Sequence, residues 1–322
     1  MINPQFDKAE PFSENLALVY IGTDRRKCGY IDTEGKMVIN PQYDGAGNFS
    51  EGMAWVNVGG KHGYIDKEGK MVINPQFDGA GNFKEGLAWV NVGGRIGYID
   101  KVGRMVINPQ FDTGNFSMEF GDFSEGLAGV DVGGNFGFIN KEGRMVINPQ
   151  FTQVNRFSDG VAMVNFGGKS GFIDKSGKMV INPQFDITLM KQFDEGLAPV
   201  KIGGRSGFID KEGKIVINPQ FDDALGFSEG LAPVFIDRRA GYVDKSGKMV
   251  INPQFDFAGK FKEGLALVII GTKCGFIDKS GKMVINPQFD EVAFTSNDGQ
   301  WDFIGDGRIA VKVGTKWGYI AK

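Results

Sequence analysis

The sequence predicts an all-β chain built from nine tandem units of about 34 residues. The first observation is a five-residue piece, Ile-Asn-Pro-Gln-Phe/Tyr, that returns at nearly fixed steps of 37, 34, 34, 40, 34, 36, 34 and 34 residues. Its copies begin at Ile2, Ile39, Ile73, Ile107, Ile147, Ile181, Ile217, Ile251 and Ile285. A period of this size is typical of solenoids and propellers, in which each unit is one supersecondary element.

The second observation is the kind of segment inside each unit. In the unit 73–106, short stretches rich in β-branched and aromatic residues are bounded by Gly and Asp, which is typical of strands. No stretch carries apolar residues at helical spacing over a helical length. Leu87–Val92 and Tyr98–Asp100 flank Gly93-Gly94, a pair that tolerates positive φ, and so predict a hairpin.

A second hairpin is predicted between Tyr64–Asp66 and Met71–Ile73, through the turn Lys67–Lys70. Asp before the turn and Gly69 within it fit a bulged loop with a left-handed glycine. The proline of Ile-Asn-Pro-Gln-Phe has no N–H to donate. Its strand is therefore predicted to lie at a sheet edge or to end at the proline.

The first strand of the first hairpin, Leu87–Val92 in the unit 73–106, is apolar on both faces. One face repeats Ala, Val and then Val, Ile or Phe, as in Ala54-Val56-Val58, Ala128-Val130-Val132 and Ala198-Val200-Ile202. A small residue at a fixed point predicts a close neighbouring backbone. Because three or four strands cannot cover two apolar faces, each sheet is predicted to be covered on both sides by neighbouring sheets.

The two ends of the chain complete each other. The C-terminal Trp317–Ile320 matches the first strand of the second hairpin, and the N-terminal Ile2–Phe6 matches its second strand. If these strands pair, no sheet edge is left open at the termini. This favours a single domain over 1–322 that forms a nine-bladed β-propeller closed by its N- and C-terminal strands. An open β-solenoid is the alternative.

The repeated pattern Phe-Ser-Glu-Gly-Leu-Ala, then Gly-Gly-Lys, then Gly-Tyr-Ile-Asp-Lys-Glu-Gly-Lys-Met-Val-Ile-Asn-Pro-Gln-Phe-Asp resembles the bacterial WG-repeat family over essentially the whole chain. The Trp-Gly pair that gives the family its name occurs only at Trp317-Gly318. Other residues stand at the Trp position in the remaining units: Cys28, His62, Ile96, Phe136, Ser170, Ser206, Ala240 and Cys274. The resemblance implies a β-repeat module that mediates interactions, and it supplies no catalytic residues.

Composition excludes several classes of function. A net charge of -3 gives no basic field to attract nucleic acid. Two cysteines are too few for a disulfide framework, and no apolar run is long enough to span a membrane. The N-terminus lacks the features of a signal peptide, which favours the cytoplasm. Extra length falls in four loops, around residues 24–26, 116–120, 189 and 296–303.

No residue pattern points to catalysis. His62 is the single histidine, and no Cys/His cluster has metal-ligand spacing. The sequence therefore predicts a chain with no enzymatic activity, metal or cofactor. We also expect a monomer. Seven turns carry a pair of basic residues. They could form a basic girdle for an anionic polymer, but interspersed carboxylates favour ordinary solvated turns. The basic pairs are Lys67/Lys70, Lys101/Arg104, Lys141/Arg144, Lys175/Lys178, Lys211/Lys214, Lys245/Lys248 and Lys279/Lys282.

Two tryptophans are the candidate binding residues. Trp55 and Trp89 occupy the same site in adjacent units, where they could stack on sugar rings or hold a peptide. Leu18, Met163 and Leu267 occupy this site elsewhere, which favours packing between sheets. The function that the sequence favours is a repeat scaffold for protein–protein interaction. The alternative is a module that binds glycans or the cell envelope.

Overall fold

The computed structural model describes residues 1–22, 27–114, 121–186, 192–297 and 300–322. The predicted insertions at 24–26, 116–120 and 189 lie outside these ranges. The chain divides into two compact units, the first comprising 1–149 with 291–322 and the second 150–290. Each unit is described by itself below, and the single domain over 1–322 stays a prediction.

All regular elements in the described ranges are β-strands, and they fall into four recurring kinds. The short strands are Lys8–Ala9, Gly45–Ala46, Gly79–Ala80, Gln153–Val154, Asp223–Ala224, Phe257–Ala258 and Glu291–Val292. The Ala-Val strands are Leu16–Ile21, Ala54–Val58, Ala88–Val92, Leu127–Val132, Val161–Phe166, Ala198–Ile202, Leu231–Ile236, Ala266–Ile270 and Arg308–Val313.

The aromatic strands are Lys27–Asp32, Lys61–Ile65, Arg95–Ile99, Asn135–Asn140, Lys169–Asp174, Arg205–Ile209, Arg239–Asp244, Lys273–Ile277 and Lys316–Ala321. The proline strands are Ile2–Phe6, Met37–Tyr43, Met71–Phe77, Met105–Asp112, Met145–Phe151, Met179–Phe185, Ile215–Phe221, Met249–Phe255 and Met283–Phe289. Three further strands belong to the last repeat, which is longer than the others: Thr295–Asn297, Gln300–Asp302 and Ile304–Gly305.

Each sheet is antiparallel, in the order short, Ala-Val, aromatic and proline strand. The sheets are numbered 1 to 9 here in the chain order of their Ala-Val strands. Sheets 3 and 4 are joined through the pair Asp112 and Asp131, and sheet 6 has a single bridge in place of its short strand. The repeated antiparallel sheets of the described ranges confirm the all-β prediction.

Both predicted hairpins are present. Trp89 pairs with Tyr98 across the Gly93-Gly94 turn, where both glycines have positive φ, 59° and 81°. The second turn is closed by the Asp66 N–H, which donates to the Lys70 carbonyl, and Gly69 has a φ of 78°. The positive φ at these glycines is what the turn geometry requires.

As predicted, the proline strands lie at sheet edges, except that Asp112 of Met105–Asp112 also pairs with Asp131. They do not end at the proline. Met71–Phe77 runs through Pro75, and its register with the aromatic strand shifts on either side of Tyr64, the first shift falling at Gly63. A Cβ on Gly63 would lie 2.4 Å from the Ile73 carbonyl oxygen and 2.7 Å from the Pro75 nitrogen. Glycine therefore allows the proline strand to approach at an irregular point of the ladder.

The two termini share sheet 9, as predicted. The proline strand Ile2–Phe6 pairs with the aromatic strand Lys316–Ala321, with Ile2 opposite Tyr319 and Phe6 opposite Trp317. Asp306, in the last repeat, accepts a hydrogen bond from the Asn15 N–H at 2.7 Å. Residues about 290 positions or more apart in sequence are thus held together within the first unit.

The core is divided between neighbouring sheets. At the contact of sheets 2 and 3, Tyr64, Ile73 and Phe77 of one sheet pack on Ala88 and Val90 of the next. Equivalent clusters join sheets 9 and 1, 1 and 2, and 3 and 4 in the first unit, and sheets 5 to 8 in the second. Both faces of the Ala-Val strand are covered by neighbours, as the sequence predicts.

Buried tyrosines add a directional link to this packing. The Tyr64 hydroxyl donates to the Gly81 carbonyl at 2.8 Å, which joins the aromatic strand of sheet 2 to sheet 3. Tyr30, Tyr98, Tyr242 and Tyr319 make the matching bond. Burial raises the pKa of Tyr64 well above its usual range. The hydroxyl therefore stays protonated, and able to donate, at neutral pH.

Candidate interaction surface

The Ala-Val strands end in exposed apolar residues next to the Gly-Gly turns. The sequence pattern places the third residue of the Ala, Val, Val motif in the packed face, and here that prediction is wrong. Val58, Val132 and Ile202 are between 37% and 44% exposed, because the strand end extends past the neighbouring sheet. We call the exposed residues at this position the turn-face row: Ile21, Val58, Val92, Val132 and Val313 in the first unit, and Phe166, Ile202 and Ile270 in the second.

Seven members of the turn-face row stand beside a recurring pair of a basic residue and an aspartate, whereas Val132 lies opposite Asn135. In sheets 2 and 3, Lys61 Nζ contacts Asp78 Oδ1 at 2.5 Å, and Asp78 Oδ2 accepts the Gly93 N–H at 2.8 Å. Lysine or arginine pairs with aspartate at the same place in seven further cases. These pairs are Lys27–Asp44, Arg95–Asp112, Lys169–Asp186, Arg205–Asp222, Arg239–Asp256, Lys273–Asp290 and Lys316–Asp7.

These pairs set the electrostatics of the surface. The hydrogen bond from Lys27 and the Gly59 N–H lower the pKa of Asp44, and the pKa of Asp78 is lowered in the same way by Lys61 and Gly93. Lys169 is the main cause of the lowered pKa of Asp186. The carboxylates therefore stay charged and paired at neutral pH. The surface around the turn-face row is apolar with its charges neutralised locally.

At the opposite end of the sheets, the predicted basic pairs are drawn into another recurring contact. Lys101 Nζ lies 3.1 Å from Glu51 Oε2, and Glu51 also accepts the Gly86 N–H at 3.0 Å. The first lysine of five further turns pairs with a carboxylate of the preceding sheet: Lys67–Glu14, Lys141–Glu85, Lys211–Asp159, Lys245–Glu195 and Lys279–Glu229. These lysines link sheets, which supports the solvated-turn interpretation over the basic girdle.

The candidate tryptophans are half-buried between sheets. Trp55 packs against the cluster of Tyr64, Ile73 and Val90. Trp89 packs against the matching cluster one sheet further along. A Cβ on Gly47 would lie 2.2 Å from Trp55 Nε1, so the indole rests directly on a glycine. The arrangement explains these residues by packing, and ligand binding by Trp55 and Trp89 stays a prediction.

His62 lies next to Trp55. Its ring centroid is 5.3 Å from that of Trp55, and its Nε2 lies 3.3 Å from Asn57 Nδ2. Burial lowers the pKa of His62, which favours the neutral ring. Cys28 and Cys274 are both buried free thiols, and burial raises the pKa of Cys28 to about 12. Burial therefore keeps the Cys28 thiol protonated at neutral pH, and only the thiolate is a good nucleophile.

The described residues contain no group of three or more His, Cys, Asp or Glu that could hold a metal ion. Nor does any helix within them have the length and hydropathy needed to cross a bilayer.

The turn-face row is the feature that the sequence interpretation missed. Its signal was present as an Ile, Val or Phe directly before each Gly-Gly turn. Strand alternation alone assigned those residues to the packed face, since alternation identifies a face but not how far the neighbouring sheet extends along it.

The family model of the WG containing repeat matches nine consecutive segments of the chain. The matched residues are 1–22, 29–61, 63–95, 96–136, 136–169, 171–205, 207–238, 241–274 and 275–317. No curated protein sequence matches the chain significantly.

Several solved structures align with the chain at low sequence identity. A structure described as the eukaryotic initiation factor aligns over 96% of both chains at 11% identity, with a TM-score of 0.62. The WD40 domain of SCAP from fission yeast covers 100% of this chain and 97% of its own at 9% identity, with a TM-score of 0.49. Kluyveromyces lactis Hsv2p covers 80% of this chain and 95% of its own at 8% identity, with a TM-score of 0.46.

The lowered pKa values predict an acid-sensitive fold. Because the folded-state pKa of Asp44, Asp78 and Asp186 lies below the ordinary value, their contribution to stability is present above about pH 4 and is lost as the pH falls. We expect the melting temperature to be constant from about pH 7 to pH 5 and to fall between about pH 5 and pH 3.

Calorimetry across this pH range checks the expectation. The triple variant Asp44→Asn/Asp78→Asn/Asp186→Asn should have a lower melting temperature than the parent at pH 7. Its melting temperature should fall less than that of the parent as the pH is lowered. Asp223→Asn is the control. Asp223 accepts a hydrogen bond from the neighbouring Ala224 N–H, so the melting temperature of this variant should fall with pH as that of the parent does. An acid-induced fall as large in the triple variant as in the parent contradicts the assignment.

Proposed function

The chain belongs to the WG containing repeat family, and we propose that it is a non-enzymatic scaffold that binds another protein through its turn-face row. The single observation that carries the proposal is the row itself. Eight Val, Ile or Phe side chains, one per sheet, stand 37% to 52% exposed at the same end of their sheets.

Apolar side chains at a regular interval are costly to expose unless something covers them. Within one unit, neighbouring members lie in sheets that pack face to face, and such sheets are about 10 Å apart. The adjacent turns consist of glycine in most units, so no side chain blocks the approach of another backbone. These properties support a protein partner that offers apolar side chains.

The charge pattern supports the same class of partner. The lysines and arginines opposite members of the row are paired with aspartates, as in Lys61–Asp78 and Arg205–Asp222, and a nucleic acid would have to compete with that aspartate. Affinity that rests on apolar contact is weakly dependent on salt, in contrast to binding of a phosphate backbone.

We also propose that the nine sheets form a closed propeller, in preference to an open solenoid. The support is the make-up of sheet 9, in which Ile2–Phe6 and Lys316–Ala321 complete one antiparallel sheet from opposite ends of the chain. Closed propellers manage their edges in this way.

Small-angle X-ray scattering tests the propeller. A compact chain of this length should have a radius of gyration of about 20 Å. Nine sheets stacked openly at about 10 Å each would span on the order of 90 Å, with a clearly larger radius. A radius near the compact value is expected, and an extended particle contradicts closure.

The binding proposal is tested with two matched triple variants. Phe166→Ser/Ile202→Ser/Ile270→Ser removes the turn-face row of the second unit. Val180→Ser/Val216→Ser/Val250→Ser removes exposed valines from the proline strands of that unit, which are 41% to 45% exposed. Both should melt near the parent, since surface substitutions usually change stability by less than about 0.5 kcal/mol.

The readout is the affinity of each purified variant for a partner isolated with the parent chain. Loss of three apolar contacts should weaken binding at least about tenfold in the turn-face variant. The affinity of the control variant should stay within about twofold of that of the parent. Equal binding by the two variants, or failure to find a saturable partner, overturns the proposal.

A further inference from the structure

One turn beside the turn-face row departs from the rest of the repeat. In sheets 2 to 6 the Ala-Val strand and the aromatic strand are joined by Gly-Gly, and in sheets 8 and 9 they are joined by Gly-Thr. In sheet 7 the two residues of this turn are Asp237 and Arg238, and the flanking Ile236 and Arg239 pair with each other. The φ angles of Asp237 and Arg238 are 48° and 62°, the left-handed values that such a two-residue turn requires. We call Asp237 and Arg238 the charged turn.

The charged turn carries a backbone cost that its contacts do not offset. A residue with a Cβ disfavours the left-handed region, whereas glycine occupies it freely. The Asp237 N–H donates to Asp222 Oδ2 at 2.7 Å. Glycine makes the same bond in sheet 3, where the Gly93 N–H donates to Asp78 Oδ2 at 2.8 Å. Within the described ranges, neither the Asp237 carboxylate nor the Arg238 guanidinium makes an ion pair or a hydrogen bond. Backbone strain that brings no structural gain is typical of functional sites.

The charged turn stands between two apolar members of the turn-face row. Asp237 and Arg238 are both exposed. Ile202 of sheet 6 is 37% exposed, and Ile270 of sheet 8 is 41% exposed. Ile236, the equivalent residue of sheet 7, is partly buried because it packs against the core cluster of sheets 6 and 7. Sheet 7 therefore presents a carboxylate and a guanidinium at the point where its two neighbours present isoleucine.

This arrangement of charges and isoleucines is complementary to itself. Two copies related by a two-fold axis meet through the same patch, so each residue contacts its counterpart's partner in the other copy. An axis through the charged turn places Asp237 of each copy opposite Arg238 of the other. The same axis places Ile202 of each copy opposite Ile270 of the other. A carboxylate and a guanidinium form strong, often bidentate hydrogen bonds, so both charges of the turn gain a partner at once.

We propose that the turn-face row of the second unit binds a second copy of this chain, with the charged turn at the two-fold axis. Ile202 and Ile270 supply apolar contact, and the charged turn fixes the register of the two copies. The inference rests on the proposed function, because it states which protein covers this part of the row. It departs from the monomer expected from the sequence, since the sequence alone does not show that the charged turn is exposed between two isoleucines.

Sedimentation velocity of the full chain tests for the dimer. The parent should pass from monomer to dimer as its concentration is raised, and a parent that stays monomeric at about 1 mM overturns the proposal. Asp237→Arg and Arg238→Asp should each weaken the dimer at least about tenfold, because each places like charges opposite one another across the axis.

Matched controls make the same changes of charge elsewhere. Glu212→Arg and Lys248→Asp lie in exposed turns at the other end of sheets 6 and 7. Their dimers should stay within about twofold of the affinity of the parent dimer. If the variants of the charged turn dimerise as tightly as these controls, the pairing of Asp237 with Arg238 is wrong.

A mixture of the two charge variants separates recognition from folding. When Asp237→Arg meets Arg238→Asp, every contact across the axis joins an arginine to an aspartate. The heterodimer should therefore be at least about tenfold tighter than the dimer of either variant alone. A fluorescent label on one variant allows the heterodimer to be followed by its sedimentation. A mixture whose dimer is no tighter than those of the separate variants overturns the pairing.

A glycine variant tests whether the charges explain the strained turn. Asp237→Gly/Arg238→Gly gives sheet 7 the turn that sheets 2 to 6 have. Its melting temperature should equal or exceed that of the parent, because glycine adopts the left-handed conformation freely. Its dimer should be at least about tenfold weaker. Dimerisation of this variant with the affinity of the parent overturns the role of the charges.

The turn-face variant Phe166→Ser/Ile202→Ser/Ile270→Ser distinguishes this inference from the proposed function. Its dimer should be at least about tenfold weaker than that of the parent, because it lacks the apolar contacts beside the charged turn. A dimer as tight as that of the parent overturns the assignment to the row. A parent that stays monomeric, yet binds a different protein that the turn-face variant no longer binds, overturns this inference and leaves the proposed function intact.

Discussion

Within each compact unit, the packing of the Ala-Val face on the aromatic face of the preceding sheet is the constraint on which the rest of the structure depends. A three- or four-stranded sheet with two apolar faces is not stable alone, since it buries neither face. Ala88 and Val90 are small enough to let Tyr64 and Phe77 of the preceding sheet fill the gap between backbones. Polar groups that could interrupt this packing stand at the two ends of the sheets, where lysine–carboxylate contacts link neighbours without entering the core.

Features that depend on local backbone chemistry could be predicted from the sequence. Gly93-Gly94 requires positive φ, Pro75 lacks a donor, and the Ala54-Val56 alternation defines a packed face, so the hairpins, the edge strand and the stacking followed from single units. The shared sheet 9 followed from the way that Ile2–Phe6 complements Trp317–Ile320. Each of these predictions needed only one unit, or the comparison of two.

Features that depend on which sheet ends meet could not be predicted. Lys101 looked like a member of a basic row, yet its partner Glu51 comes from the preceding sheet, 50 residues earlier. Val58 followed the packed pattern but extends past its neighbour into solvent. The contact of Asp194 with Lys260 could not be predicted for the same reason, since the two residues come from repeats that are not adjacent in sequence and meet beside Gly226 of the repeat between them. Variation among repeats marks such sites, because the positions needed for stacking are nearly constant within the chain.

The central claim is that stacking extends to both termini, so that sheet 9 is as firmly formed as the sheets inside the chain. Hydrogen exchange of the backbone amides tests it most directly, with the peptide that covers residues 1–9 compared with the one that covers 71–77. Both contain a proline strand at a sheet edge, which makes the second a matched reference. The account predicts comparable protection in the two peptides. Exchange of residues 1–9 at the rate of an unfolded chain, while 71–77 remains protected, would contradict it.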